Sequence, residues 1–511
     1  MEIYNYNIND TQLNDEQKEA LYKIFIFLSN NTNNTNNKLS NMIGIFGQAG
    51  TGKTTLIKFI VNIKNLYKFN INKIVLASPT NKALDVIKEK LINVDNNIDI
   101  SFMTIAQLLS YKKSYDKNHN IIFSRMKKTK NIHDNFDLII IDESSMITEQ
   151  NIIDINNDFY KAKNKKPIIF TGDSFQLPPT KEKLSKVFSS NFDLQIIELK
   201  NIMRTNKDKI KNLSLLIRDW INEPYKYNLE YIYTEIGKYK CEYINFLNDE
   251  NKFINNFLIE KNAVILVWTN NERIKYNNII RKKLFGNVCK EKYLIGEQLI
   301  FNNFYKCLSE NELIMYFYSS MTAKILNIKI IENFSCKKFE INNIILLIKN
   351  YDNTMVSLYN YIQIFIDKFN QSIDMKFKIY KIECSTTKYS KININVIYNN
   401  NEYDKDIELG KKYIKTYFEE NNCDFPLIKD NIHDIIISLF NKYYEEPFAN
   451  VDYGYSMTVD KSQGSTFENV YINGTDILDN IKHPYLDFDT AKRRFYTAIT
   501  RASESINILF I

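Results

Sequence analysis

The chain predicts an α/β fold built on two parallel sheets, each covered by helices on both faces. Three observations predict it. Short apolar runs alternate with helical patterns from Met42 to Thr171. The alternation returns at Ala263 and again from Tyr455 to the last residue, Ile511. A chain of 511 residues is also too long for a single hydrophobic core.

Residues 12–29 read as an amphipathic helix, with Leu13, Ala20, Leu21, Ile24, Phe25 and Leu28 near helical spacing. The Asn- and Thr-rich stretch 30–37 reads as a surface loop. Residues 42–46 form a buried strand that ends in a glycine-rich turn, followed by an apolar-striped helix over 56–63. Strands at 74–77, 138–141 and 168–171, with a helix near 83–91, extend the pattern, and this alternation means a parallel sheet covered on both faces. Ser114-Tyr115 and Ile121-Ile122-Phe123 flank a turn-like Asp116-Lys117-Asn118-His119-Asn120, which predicts a β-hairpin inserted at about 104–130. Lys112, Lys113, Arg125, Lys127, Lys128 and Lys130 surround it, and a solvated basic loop is the plainer reading. The second block has a strand at 263–268, a helix through Ile280 and a closing strand at 506–511. From 310 to 450 strand-like stretches (323–331 and 392–398) mix with Tyr-rich helical segments, an inserted unit. No fixed-period repeat is visible.

Composition sets limits. An apolar fraction of 44% excludes a largely disordered chain. The net charge of +7 suits a polyanionic partner without requiring one. The six cysteines (241, 289, 307, 336, 384 and 423) and four histidines (119, 133, 433 and 483) lack the closely spaced pairs of zinc or iron–sulfur sites, so neither is expected. The amino terminus lacks the pattern of a signal peptide, and no apolar run approaches the roughly 20 residues of a membrane span. A soluble intracellular protein, in cytoplasm or nucleus, with free thiols is expected. The Ile-, Asn- and Lys-rich usage is that of an AT-rich genome, as in many viruses and phages.

Gly47-Gln48-Ala49-Gly50-Thr51-Gly52-Lys53-Thr54 fits G-x-x-x-x-G-K-[ST] between a predicted strand and helix. Glycines at 47, 50 and 52 let backbone N–H groups approach phosphates, and the helix amino terminus adds positive potential. The motif assigns ATP to Gly47, Gly50, Thr51, Gly52, Lys53, Thr54 and Thr55, with Lys53 on the β- and γ-phosphates and Thr54 on Mg²⁺. Downstream, Leu138-Ile139-Ile140-Ile141-Asp142-Glu143 is an apolar strand ending in two acids. Asp142 is assigned to the Mg²⁺ shell and Glu143 to the attacking water.

Further blocks narrow this ATPase. In chain order they are Leu13-Asn14-Asp15-Glu16-Gln17, Ala77-Ser78-Pro79-Thr80-Asn81-Lys82-Ala83, Asp142-Glu143-Ser144-Ser145-Met146 and Gly172-Asp173-Ser174-Phe175-Gln176-Leu177-Pro178-Pro179. Met203-Arg204-Thr205, Trp268-Thr269-Asn270, Thr458-Val459-Asp460-Lys461-Ser462-Gln463-Gly464 and Tyr496-Thr497-Ala498-Ile499-Thr500-Arg501-Ala502 follow. In this order and spacing they resemble the motifs of superfamily 1 helicases of the RecD-like 5′-to-3′ branch, nearest the Dda-like helicases of phages. The likeness is strong at the motifs and weak over 310–450.

The resemblance implies two RecA-like P-loop motor domains with parallel sheets, a β-hairpin insertion in the first and a small β-rich (SH3-like) insertion in the second. It sets the domains at 1–203, at 204–309 with 451–511, and at 310–450 for the accessory insertion. It implies ATP and Mg²⁺, with Gln17 on the adenine edge and Gln463 at the nucleotide cleft. Gln176 would sense the γ-phosphate, and Arg204 and Arg501 would act as arginine fingers beside Lys53 and Glu143. Pro79, Thr80, Thr104, Thr269, Asn270 and Thr458 match positions that touch the strand, and Phe123 or Tyr115 on the hairpin would abut the duplex fork. Trp268 or Phe175 would stack a base, or else belong to the core. The implied partners are single-stranded DNA and the duplex fork, with replication or recombination proteins, no membrane and a monomeric state. An RNA or RNA–DNA helicase is the rival within motors, and a nucleic-acid-binding scaffold with a vestigial ATPase is the rival outside them. One residue departs from the pattern: Asp460 stands where the family has His, and a carboxylate there is repelled by nucleic acid unless a cation pairs with it.

Overall fold

The computed structural model describes residues 12–32, 41–67, 70–91, 98–115, 121–125, 131–189, 192–203, 206–223, 229–308, 314–348, 356–420, 426–478 and 487–511. The chain divides into two compact units. One comprises Met1–Lys112, Phe123–Leu284 and Tyr455–Ile511, the other Lys113–Ile122 and Phe285–Gly454.

In the larger unit the first strands are β1 (Met42–Gly47), β2 (Lys73–Ser78), β3 (Asp99–Thr104), β6 (Leu138–Ile141), β7 (Ile168–Gly172) and β8 (Gln195–Leu199), while β4 (Tyr111–Tyr115) and β5 (Ile121–Arg125) pair with each other as the expected hairpin, whose residues 113–122 group with the other unit. The six form a parallel sheet in the order β3-β2-β6-β7-β1-β8. Alternate side chains reach opposite faces, so each central strand must be apolar throughout. Ile43, Ile45, Ile74, Leu76 and Ile140 pack under helices Asp15–Thr32 and Lys53–Tyr67, while Phe46, Val75, Ile139, Ile141 and Phe170 pack on the other face. The first helix runs through Asn30 and Asn31, into the stretch expected to be loop, because the Asn31 amide donates to the Phe27 carbonyl at 2.8 Å.

The second sheet of this unit holds β9 (Ile244–Leu247) and β10 (Ala263–Val267), then, after the strands β11–β17 of the other unit, β18 (Ser456–Thr458), β19 (Phe467–Asn473) and β20 (Ala502–Leu509). Its order is β18-β10-β19-β20-β9, again all parallel. Two parallel sheets are what the expectation of two RecA-like domains requires. β10 stops one residue short of Trp268 because the N–H groups of Trp268 and Thr269 turn to the Asp476 carboxylate, at 2.6 and 3.0 Å.

The smaller unit carries β11 (Gln298–Phe301), β12 (Tyr305–Leu308), β13 (Ile314–Phe317), β14 (Thr322–Ser335), β15 (Lys376–Ser385), β16 (Ile392–Ile397) and β17 (Val451–Tyr453). An antiparallel sheet, β16-β15-β14-β11-β17, forms one part of it. Helices Val356–Ser372, Asn400–Glu420 and Pro426–Tyr444 form the other, so beside the expected β-structure stands a helical layer. Its stripe of Leu358, Ile362, Phe365, Ile366 and Phe369 recurs at helical spacing and buries against Tyr417, Phe418, Phe440 and Tyr444. No helix among the described residues is long and apolar enough to cross a membrane.

His133 lies in the short helix Ile132–Asn135 that precedes β6, 2% exposed, its Nδ1 accepting from the Lys166 N–H at 3.1 Å. Burial pushes its pKa down to about 4. The folded state therefore refuses a proton that the unfolded chain accepts, and stability falls as pH drops from about 6.5 toward 4. His133→Gln is expected to remove up to about 3 kcal/mol of that acid lability. Unfolding midpoints of both proteins across this pH window check it, and parallel curves refute it.

Candidate functional site

β1 runs out at Gly47 and helix Lys53–Tyr67 opens just past the turn. Gly50 and Gly52 take φ of +87° and +83°, a backbone that L side chains rarely adopt. A Cβ on Gly47 would lie 2.4 Å from the Leu199 carbonyl oxygen, so only glycine fits there. The Lys53 ammonium folds back over the loop, donating to the carbonyls of Gly47 at 2.6 Å and Gln48 at 2.8 Å. Thr54 and Thr55 follow in the helix's first turn, half-buried, and Thr51 is buried. Such a turn at a helix amino terminus is a concavity of backbone donors suited to a polyphosphate.

Gln17 closes one side. Its Nε2 donates to the Thr51 carbonyl at 3.0 Å and its Oε1 accepts from the Asn14 N–H at 3.1 Å. One N–H and one lone pair of the amide stay in hand for a ligand. Met203 donates its N–H to Gly50 at 2.6 Å, which brings the segment before Arg204 onto the loop. Arg204 itself lies outside the described residues.

Asp142, 7% exposed, takes a hydrogen bond from the Thr171 hydroxyl of β7. Glu143 follows in the left-handed region, φ 54° and ψ 46°. For a non-glycine residue this costs about 1–2 kcal/mol, which turns the side chain out of the strand line. Gln176 is buried, and its Oε1 has no hydrogen-bond partner.

Helix Phe488–Ile499 brings the second sheet's residues onto this end. Asp173 Oδ2 accepts from the Ala49 N–H of the glycine-rich turn at 3.2 Å and from the Tyr496 hydroxyl at 2.8 Å. Arg493 donates to the Ser174 carbonyl, and Gln463 Nε2 to the Leu177 carbonyl at 3.3 Å. Arg501 is 2% exposed and is held by the carbonyls of Thr497 at 3.1 Å and Ser465 at 3.2 Å. Burial pulls its pKa down and the Glu143 charge pushes back up, so the two share one electrostatic environment. Lys82 joins them: burial, then the Arg501 charge, lower its pKa to about 8. Asp173, Tyr496 and Lys82 lie within the motifs without a role assigned there, and Arg493 lies outside them. The buried charge and cross-sheet pairing that single them out are properties of the folded chain.

Four expected strand-contact threonines share one local structure. Thr80, Thr104, Thr269 and Thr458 each follow or end a parallel strand, and each hydroxyl accepts an N–H of the helical turn it opens: from Ala83 at 3.2 Å, Gln107 at 3.2 Å, Glu272 at 3.3 Å and Lys461 at 3.4 Å. β3 and β2 are neighbours at one edge of the first sheet, β18 and β10 at one edge of the second, so the two sheets present matching pairs. Pro79 lies beside Thr80, half-buried, and Asn270 is exposed, its Oδ1 accepting from Arg273.

The aromatic candidates separate. Phe175 lies under the Arg218 guanidinium at 4.0 Å and edge-on to Tyr496, whereas Trp268 is half-buried with Arg494 over its ring at 5.0 Å. Asp460, the departure from the family pattern, meets the same Arg494 at 3.1 Å. On the hairpin, Phe123 is 62% exposed. Arg125 belongs to the fold instead of a basic surface: it pairs with Asp158 at 2.6 Å, while Tyr111 donates to Asp154 at 2.6 Å, anchoring both hairpin ends on helix Glu149–Lys161. The hairpin turn at 116–120 and the lysines 127, 128 and 130 lie outside the described residues.

Residues 32–182 match the AAA domain family, and residues 453–509 match the UvrD-like helicase C-terminal domain family. An uncharacterised protein of Acanthamoeba polyphaga mimivirus is 29% identical, over 97% of this chain and 99% of its own length. The RecD subunit of the RecBCD enzyme from Buchnera aphidicola subsp. Schizaphis graminum is 28% identical, over 91% of this chain and 69% of its own. Among solved structures, Bacteroides Pif1 bound to single-stranded DNA aligns over 98% of this chain and 92% of its own, with 15% identity and a TM-score of 0.47.

Proposed function

We propose that the chain is an ATP-driven motor that moves 5′ to 3′ along single-stranded DNA and separates duplexes as a monomer, in the manner of the Dda-like helicases. The observation that carries the reading is the hydrogen bond from Tyr496, on helix Phe488–Ile499 of the second sheet, to Asp173 of the first, with buried Arg501 in the field of Glu143. A phosphate bound between them acts on both sheets at once.

ATP enters at the glycine-rich turn, where Lys53 exchanges the carbonyls of Gly47 and Gln48 for phosphate oxygens. Gln17 offers its spare donor and acceptor to the adenine edge. Thr54 and Asp142 would hold Mg²⁺, which would supply charge neutralisation at the phosphates. Glu143 takes one proton of the attacking water as the water oxygen bonds to the γ-phosphorus, and the unpaired Gln176 carbonyl accepts a hydrogen bond from the O–H that remains. Arg501, joined by Arg204, neutralises charge as the γ-phosphoryl leaves. Loss of that phosphate removes the attraction across the cleft, and the nucleotide thereby biases a two-state closure. The paired N-cap threonines at matching sheet edges grip phosphates without reading sequence. Closure then changes the spacing between two grips on one strand, and Phe123 meets the fork.

The domains follow as 1–203, 204–309 with 451–511, and an accessory unit over 310–450. ATP hydrolysis with and without single-stranded DNA tests the reading. Strong stimulation is expected, with Lys53→Ala about a hundredfold slower. Stimulation by RNA alone reassigns the substrate, and indifference to both refutes the motor.

Lys82 adds a pH signature. Protonated, it attracts the triphosphate, and its pKa near 8 means that this attraction fades as pH rises through 8. KM for ATP is expected to climb several-fold above that pH, by order of magnitude from one lost charge, and the climb is absent in Lys82→Ala. A flat natural profile excludes Lys82 from the phosphate field.

A further inference from the structure

We propose that Trp268, Arg494 and Asp460 form a base-stacking site at the carboxyl edge of the second sheet, in which Trp268 takes a nucleobase of the single strand and Asp460 positions Arg494 against the ring. The inference rests on the nucleic-acid reading above, decides for Trp268 over Phe175 as the stacking residue and adds Arg494 and Asp460 to it.

Trp268 follows β10 directly and Asp460 lies two residues past the end of β18, strands that pair with Val267 opposite Thr458. The cluster therefore stands between the N-caps Thr269 and Thr458. Arg494 reaches it from helix Phe488–Ile499, its guanidinium carbon 5.0 Å from the Trp268 ring centre and its Nε 3.1 Å from Asp460 Oδ2. A guanidinium over an indole is attracted by the negative ring face, and a carboxylate along its Nε edge fixes its plane.

Three features distinguish this from core packing. The other tryptophan, Trp220, is fully buried, with Phe488 edge-on at 5.5 Å, whereas Trp268 keeps part of its surface open. Arg494 is 6% exposed, yet its Nη1 is buried without a hydrogen-bond partner. Buried donors are nearly always paired, so the cluster is one acceptor short, and a strand phosphate or base carbonyl supplies that chemistry. The Asp460 side chain is 52% exposed, so a bare carboxylate would face the polyanion; the ion pair cancels its charge. In this chain the carboxylate thus acts through Arg494 and not on the strand.

The sequence holds only two tryptophans, and the buried Trp220 is shielded, so a change in indole fluorescence reports Trp268. Titrating the full chain with a short oligothymidylate is expected to quench that emission, and Trp268→Phe abolishes the quench. The anisotropy of a labelled oligothymidylate gives affinity independently, and Trp268→Ala is expected to weaken it about tenfold. The sign at Asp460 decides the positioning role. Asp460→Asn weakens binding if the carboxylate orients Arg494, and tightens it if the carboxylate merely repels the strand. Asp460→His, which installs the family residue, gives a second measurement should the Asn variant melt early. Binding without a Trp268 quench, or tighter binding on loss of the Asp460 charge, overturns the proposal and leaves the motor reading intact. Absence of any oligothymidylate binding removes the single-stranded DNA reading on which this inference rests.

Discussion

Arg501→Ala is expected to lower kcat for DNA-stimulated ATP hydrolysis by about a thousandfold or more, the order of an arginine finger, while ATP still binds. The reason lies in where the guanidinium sits. It is 2% exposed, fixed by the carbonyls of Thr497 and Ser465 and the Thr500 hydroxyl, and it feels the Glu143 charge across the cleft. A cation already desolvated and oriented reorganises little when charge develops beside it. Removing it also takes the guanidinium bond from the buried Ser465 carbonyl, at roughly 1–3 kcal/mol, so the alanine variant is expected to melt earlier. Arg501→Lys separates the effects: it keeps the charge and loses the planar fork. If both variants remain folded and hydrolyse within tenfold of the natural protein, Arg501 is structural only.

Glu143→Gln is expected to lower kcat by about two to four orders of magnitude with ATP affinity and melting temperature nearly unchanged. The amide keeps the shape of the side chain and its left-handed backbone, φ 54°, but cannot accept the water's proton. Glu143→Gly offers the converse test. Glycine relieves the left-handed strain, about 1 kcal/mol or more, so this variant is expected to be the more stable and equally inactive. Such a trade is the mark of strain kept for a catalytic group. A Gln variant that retains near-natural turnover assigns the base elsewhere.

The sequence by itself determined what is chemically local. A strand, a glycine-rich turn and a helix are contiguous in Gly47 to Thr54, so spacing and residue type already specify a phosphate cradle. Unbroken Ile runs such as β6 specify a doubly covered parallel sheet, because both strand faces must be apolar. Tertiary structure alone decided the pairings between distant segments. Tyr496 and Asp173 are 323 residues apart and share a hydrogen bond that also reaches the Ala49 N–H. Arg125 looked like part of a basic loop until the fold set it on Asp158, and Asp460 looked like a fault until Arg494 met it. Helical segments over 310–450 were legible in the sequence, but their assembly into a layer followed from packing of the stripe Leu358, Ile362, Phe365, Ile366 and Phe369. Periodicity tells which face of an element is buried, but the partner of a charged group and the depth of its burial follow from the packing of elements far apart in the chain.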